Sequence, residues 1–148
     1  MVLKVESIRA RLAKLEEIAT RLRELKTSKA HSDRAPYVED WAAERGLHLG
    51  AELIFDLGNH ILSSHFGVQP QGYADVLEQL GRADVLSPQL LGELRGLAGF
   101  RNILVHDYSG LDPEILERSL QLAPGHFDAV AQAVRRWLEG LGPKLPGA

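Results

Sequence analysis

Apolar residues recur every three or four positions along most of this chain, and polar breaks divide the pattern into helical segments. The first stripe, Ile8, Leu12, Leu15, Ile18, Leu22 and Leu25, predicts one amphipathic helix over about residues 4–29. A polar stretch over 28–35 reads as a loop, and Pro36 suits the first turn of a second helix. That helix is expected to reach residue 66, burying Trp41, Leu47, Ala51, Ile54, Phe55, Ile61 and Leu62. Gly46, Gly50 and Gly58 lie inside it, each at a cost of roughly 1 kcal/mol against Ala. Close approach between helices is the use expected of them, because a missing side chain lets backbones come together. Gly67 ends the helix, and Gln69-Pro70-Gln71-Gly72 is a loop.

A short helix is predicted over residues 73–82. Ser87-Pro88 places a capping hydroxyl just before a proline at the first helical position. The helix it starts carries Leu90, Leu91, Leu94, Leu97 and Ala98 and is expected to run straight on through residues 101–106. Ser109-Gly110 breaks it, and Asp112-Pro113 repeats the cap-then-proline signal. Pro124-Gly125 is expected to kink or split the last stretch before Phe127, Val130, Val134, Trp137 and Leu138, and the Gly/Pro-rich tail over 140–148 to fray. No convincing strand, repeat or second domain interrupts this pattern. The predicted fold is therefore all-α, a single domain over residues 1–148 built as an up-down bundle of five to six helices.

Composition narrows the chemistry. The chain has no cysteine, which excludes a disulfide framework, a thiolate metal site and a cysteine nucleophile. The N-terminus lacks the apolar core of a signal peptide, and no run approaches the roughly 18 apolar residues of a membrane span. A cytoplasmic location, away from membranes, is expected. The net charge of −3 does not advertise nucleic-acid binding. Its distribution softens that objection: residues 1–34 hold nine Lys/Arg and five Asp/Glu (9 − 5 = +4), the remainder eight and fifteen (8 − 15 = −7). A basic first helix on an acidic body suits a phosphate backbone, an acidic partner, or simply a solvated face.

Arg101, Asn102, His106 and Tyr108 cluster among Leu97, Phe100, Ile103, Leu104 and Val105. At 100° per residue Asn102 and His106 share a face, whereas Arg101 lies about 140° from His106. These side chains suit RNA cleavage without metal. A histidine titrating near neutrality can take a proton from a ribose 2′-OH or give one to the leaving oxygen. An arginine fork can hold the phosphate, and an asparagine can orient either. One Arg and one His make a thin site, and a twofold dimer would bring two copies around one phosphate. Spacing alone equally permits a helix C-terminus capped by cations, with Asn and Tyr satisfying backbone groups.

The run Arg101-Asn102-Ile103-Leu104-Val105-His106-Asp107-Tyr108 resembles the Arg-x4-His-x-Tyr signature of HepT-like proteins, a prokaryotic branch of the HEPN superfamily. Asp56-Leu57-Gly58-Asn59-His60-Ile61 is similar to a second block of that branch, as are Val85-Leu86-Ser87-Pro88 and Leu97-Ala98-Gly99-Phe100. The likeness spans about residues 41–138. It implies a dimeric helical bundle acting on RNA without metal or other cofactor, with Arg101 and His106 as catalytic pair and Asn102 as helper. It also implies a toxin whose partner is a minimal nucleotidyltransferase antitoxin that attaches AMP to the signature tyrosine, here Tyr108. The added phosphates would repel RNA and fill the site.

His48, Glu52, Asp56 and His60 form a second polar stripe, spaced by four on the second helix. Each step rises about 6 Å and drifts about 40°, so four ligands cannot meet one metal ion. Asp56 is read as a support that orients Arg101 or His106, or alternatively as one half of a salt bridge. His31, His65 and His126 have no companion pattern and are expected on the surface or in loops. Two functions from different classes fit: an endoribonuclease, or a non-catalytic helical module that docks and regulates a nucleotidyltransferase. The presence of Arg101, His106 and Tyr108 together favours the enzyme.

Overall fold

The computed structural model describes residues 2–29, 33–106 and 111–142. Six α-helices follow in order: α1 (Val5–Ser28), α2 (Pro36–Ile61), α3 (Tyr73–Arg82), α4 (Pro88–Leu94), α5 (Leu97–His106) and α6 (Pro113–Leu141). One π-helical turn, Leu62–Phe66, extends α2 to the predicted limit at residue 66, and no strand occurs among the described residues. Gly67, at φ 66°, then takes the left-handed conformation that stops the helix, and Val68 N–H closes on the Leu62 carbonyl at 2.9 Å.

The long helices α1, α2 and α6 make the body, and α3, α4 and α5 pack beside them. Side-chain pairs give the directions. Lys4 meets His60, and a side chain at Gly46 would meet Leu22, so α1 and α2 are antiparallel. Arg23 pairs with Asp128 and Arg135 with Glu16, so α1 is antiparallel to α6 as well. The predicted α1 stripe is the buried one: Ile8, Leu12, Leu15 and Leu22 are at most 1% exposed. The glycine expectation holds at all three positions. A Cβ at Gly46 would stand 2.8 Å from Leu22 Cδ2, and at Gly50 and Gly58 it would run into the Phe127 ring and Val76. Ser87 and Asp112 cap α4 and α6 as predicted, accepting from Leu90 N–H at 3.1 Å and Glu114 N–H at 2.9 Å.

Three expectations change. Trp41 is not in the buried face: it is 67% exposed and rests edge-on against Tyr37, ring centres 4.8 Å apart. It points away from the side of the same turn on which Glu39 and Ala43 are buried. Pro124 does not split the last helix, since α6 runs unbroken from Pro113 to Leu141. A mid-helix proline costs about 3 kcal/mol. Burial of Pro124 itself with Leu120, Phe127, Val130, Ala131, Val134 and Leu138 on the same helix offsets that cost. The helix begun at Pro88 is not continuous either: it stops at Leu94 and restarts at Leu97. Gly96, a poor helix former, sits in the gap, and Arg95 beside it turns out to Glu78 at 2.9 Å. Beyond the break α5 packs against α2 and α3.

Candidate functional site

Arg101 is held from three sides. Its Nε donates to Glu52 on α2, and its Nη1 donates to Asn102 Oδ1 at 3.3 Å. Its guanidinium carbon lies 4.2 Å from the centre of the Tyr73 ring on α3. Tyr73 is itself braced edge-on by the buried Phe55 at 4.9 Å. With a side chain only 16% exposed, Arg101 has one committed orientation. Nη2 meets no acceptor among the described residues, so one edge of the fork can still take an anion.

Glu52 gathers a short polar chain. His48 Nε2 stands 3.6 Å from the same carboxylate oxygen, and Arg45 Nη1 lies 3.4 Å from His48 Nδ1. Asp56, predicted to orient Arg101 or His106, lies one turn further along α2 and is exposed. The carboxylate that meets Arg101 is Glu52. Partial desolvation, and then the Glu52 charge, raise the Asp56 pKa above its ordinary value, while Arg11 pulls it down. Two like carboxylates one turn apart thus share a strip of α2 that Arg101 and Arg11 flank.

Asn102 and His106 are exposed, and His106 is the final residue of α5. Leu111 N–H donates to Glu44 on α2 at 2.9 Å. Tyr108 lies outside the described residues. Among the other histidines, His65 packs edge-on to Trp137 at 5.1 Å and His126 stands 3.7 Å from Glu93, while His31 lies outside the described residues. Among the described residues, no three His, Asp or Glu side chains converge as metal ligands do. None of the helices is long and apolar enough to cross a membrane, again among the described residues.

Two partners of Arg101 were not assigned from sequence. Glu52 belongs to the recognised stripe, yet spacing does not choose between Glu52 and Asp56. Tyr73 had only its place at the start of a short helix.

Comparison with known proteins gives a consistent setting. The family model described as "Ribonuclease HepT-like" matches residues 10–134. A tRNA nuclease HepT of Aphanizomenon flos-aquae is 26% identical over 95 residues, covering 64% of this chain and 65% of that protein. The chain therefore spans less than two thirds of that relative's length. An mRNA nuclease HepT of Shewanella oneidensis is 27% identical over 113 residues, 72% of this chain and 84% of that one. Among solved structures, the Bacillus subtilis cytosolic protein of unknown function YutE aligns at TM-score 0.80 with 24% identity, covering 97% of each chain. A tri-AMPylated Shewanella oneidensis HEPN toxin in complex with MNT antitoxin aligns at TM-score 0.74 with 20% identity, covering 87% of this chain and 96% of that one. These structural matches establish a shared fold.

Proposed function

Because the chain belongs to the HepT-like ribonuclease family, we propose that it is a cytoplasmic, metal-independent endoribonuclease toxin acting through Arg101 and His106. The observation that carries this reading is the bracing of Arg101. A guanidinium held by Glu52, Asn102 and Tyr73 keeps one edge open, five residues before an exposed histidine on the same short helix. Preorganised charge of this kind is the main contribution a protein can make to phosphoryl chemistry.

In the proposed reaction His106 accepts the proton of a ribose 2′-OH. The 2′-oxygen then bonds to phosphorus while the bond to the 5′-oxygen breaks, leaving a cyclic phosphate on one fragment. Arg101 faces the charge that grows on the non-bridging oxygens. The 5′-oxygen needs a proton as it leaves, and a second His106 from a homodimer partner is the proposed source. Exposed Tyr37 and Trp41 on α2 and Ile103 on α5 support a homodimer, because they offer apolar surface on the two helices that build the site. The proposed silencing partner is a minimal nucleotidyltransferase that attaches AMP to Tyr108. Support comes from the fold shared with a tri-AMPylated HEPN toxin found with its MNT antitoxin and from the position of Tyr108, two residues beyond His106. Asp56 is proposed to hold the site's charge balance beside Glu52.

The test is incubation of the purified protein with total RNA in EDTA, beside a His106→Ala variant of equal helical content. Cleavage by the wild type, lost in the variant, is expected. Full cleavage by His106→Ala would refute the assignment, and cleavage abolished by EDTA would refute its metal independence. Absence of any cleavage would return the chain to the docking-module reading.

A further inference from the structure

The lower end of the α2 polar stripe is not used by the site around Arg101, and it opens into a hollow of its own. About 390 Å³ of space is lined by Val2, Lys4, Ser7 and Arg11 from the start of the chain and α1, and by His60 and Ser64 from the end of α2 and the π-turn. No carboxylate of the described residues lines it. Glu6, adjacent in sequence, is turned to Arg9 at 3.0 Å, and Asp56, the nearest acid in charge terms, feels Arg11.

The hydrogen bonds inside the hollow have a consistent direction. His60 Nε2 accepts the backbone N–H of Lys4 at 3.1 Å, so the neutral ring carries its proton on Nδ1. That Nδ1–H donates to Ser64 Oγ at 3.2 Å. Arg11 Nη1 likewise donates to Ser7 Oγ. Each serine oxygen is therefore already an acceptor, and its own O–H proton is left to point elsewhere. The lining thus offers two hydroxyl donors, an ammonium and a guanidinium, with no competing acceptor side chain. Partial desolvation, Arg11 and Lys4 all push the His60 pKa down, which is how an imidazole responds to an uncompensated positive environment. The polar part of such a lining is complementary to an anionic oxygen group such as a phosphate.

Its position says which phosphate. His60 is eight residues, about 12 Å along the helix axis, beyond Glu52, the residue that holds Arg101. The two ends are also about 80° apart round the α2 axis, so a strand joining them crosses the helix obliquely. We propose that the hollow formed by Lys4, Ser7, Arg11, His60 and Ser64 binds a backbone phosphate of the substrate RNA and so anchors the strand whose phosphate further along meets Arg101. The inference rests on the ribonuclease reading above, and its test is arranged so that the two can fail separately.

The decisive measurement is fluorescence anisotropy with labelled single-stranded RNA over a range of chloride concentrations, using His106→Ala protein so that the RNA stays intact. Lys4→Ala with Arg11→Ala is expected to weaken binding about tenfold, as for the loss of charge-assisted hydrogen bonds. The log–log salt slope is expected to become shallower by about 0.7 for the one phosphate released. Arg118→Ala with Arg136→Ala removes the same charge from the exposed face of α6 and is expected to change affinity less than twofold. Ser64→Ala, which touches no charge and no packing core, is expected to weaken binding about threefold and stands in if the double variant misfolds. In the cleaving protein Lys4→Ala/Arg11→Ala is expected to raise KM about tenfold and leave kcat unchanged. Equal losses in the two charge-removed pairs, or unchanged affinity on loss of Lys4, Arg11 and Ser64, would overturn the subsite. So would inorganic phosphate saturating the hollow while RNA affinity ignores all these variants, because the site would then serve a free anion. A wild type that binds RNA through the hollow yet never cleaves it sinks the ribonuclease reading and leaves RNA anchoring in place.

Discussion

Removing the charge of Glu52 asks whether that carboxylate aims Arg101 or competes for it. In Glu52→Gln the side chain keeps its shape, and the amide oxygen can still accept from Arg101 Nε. The ion pair becomes a hydrogen bond with one charged partner, a loss of about 1 kcal/mol. In Glu52→Ala the whole contact goes, about 2 kcal/mol, and His48 loses its neighbour too. The side chains of Arg101 and Glu52 are 16% and 28% exposed, so water reaches the pair and global stability suffers little. The deficit appears instead as lost orientation: the guanidinium still rests on Tyr73 but samples other rotamers. At 1.4 kcal/mol per decade, single-turnover cleavage is expected to fall about fivefold in Glu52→Gln and about thirtyfold in Glu52→Ala. Unfolding midpoints and RNA affinity in a His106→Ala background are the controls, and both should move far less. If Glu52 merely blocked the arginine, both substitutions would tighten RNA binding and speed cleavage. That result would refute the positioning argument outright.

Two further consequences concern the scaffold. Gly50→Ala drives a Cβ into the Phe127 ring, and overpacking of a core costs about 1–3 kcal/mol, more than the roughly 1 kcal/mol of helix propensity that alanine restores. Gly125→Ala meets nothing within 4 Å and should show the gain alone, so urea midpoints of the two variants are expected to shift in opposite directions. The His60 link carries a pH signature. Its pKa is lowered from 6.5 in the folded chain, so the unfolded chain takes up the proton first, and stability falls as pH drops below about 6.5 toward the folded value. His60→Gln should narrow the gap between urea midpoints measured above and below that range, and an unchanged gap would remove His60 from the account.

Helix periodicity carries most of this fold. The α1 stripe, the glycine contacts and both serine and aspartate caps follow from local rules, because each depends on spacing within one helix or one turn. The departures all depend on tertiary context. Trp41 has the right residue type for a core but points away from the side of α2 that buries Ala43. Pro124 breaks a local rule that burial of a whole helix face overrides. The site divides the same way. The spacing of Arg101, Asn102 and His106 is legible directly, whereas the choice of Glu52 over Asp56 depends on the angle at which α5 crosses α2. Periodicity also reads straight through the break between Leu94 and Leu97 that separates α5 from α4.

The carboxylates on the α2 stripe pose a real difficulty for a protein proposed to hold RNA, and the pairings answer it. Glu52 is neutralised by Arg101, and Asp56 lies between the charges of Arg101 and Arg11 with its own ionisation opposed by burial and by Glu52. Lys4, Arg11, Arg45 and Arg101 face three acids along the stripe, Glu44, Glu52 and Asp56, so the local balance is slightly positive (4 − 3 = +1) although the chain carries −3. Net charge therefore misstates what a strand approaching this face would meet. The acids also limit what the face can hold: a phosphate placed over Asp56 is repelled, whereas one at Arg101 or in the Lys4–Arg11 hollow is not. A strip attractive at its ends and repulsive at its centre favours a strand in a defined register, which an unbroken basic patch would not.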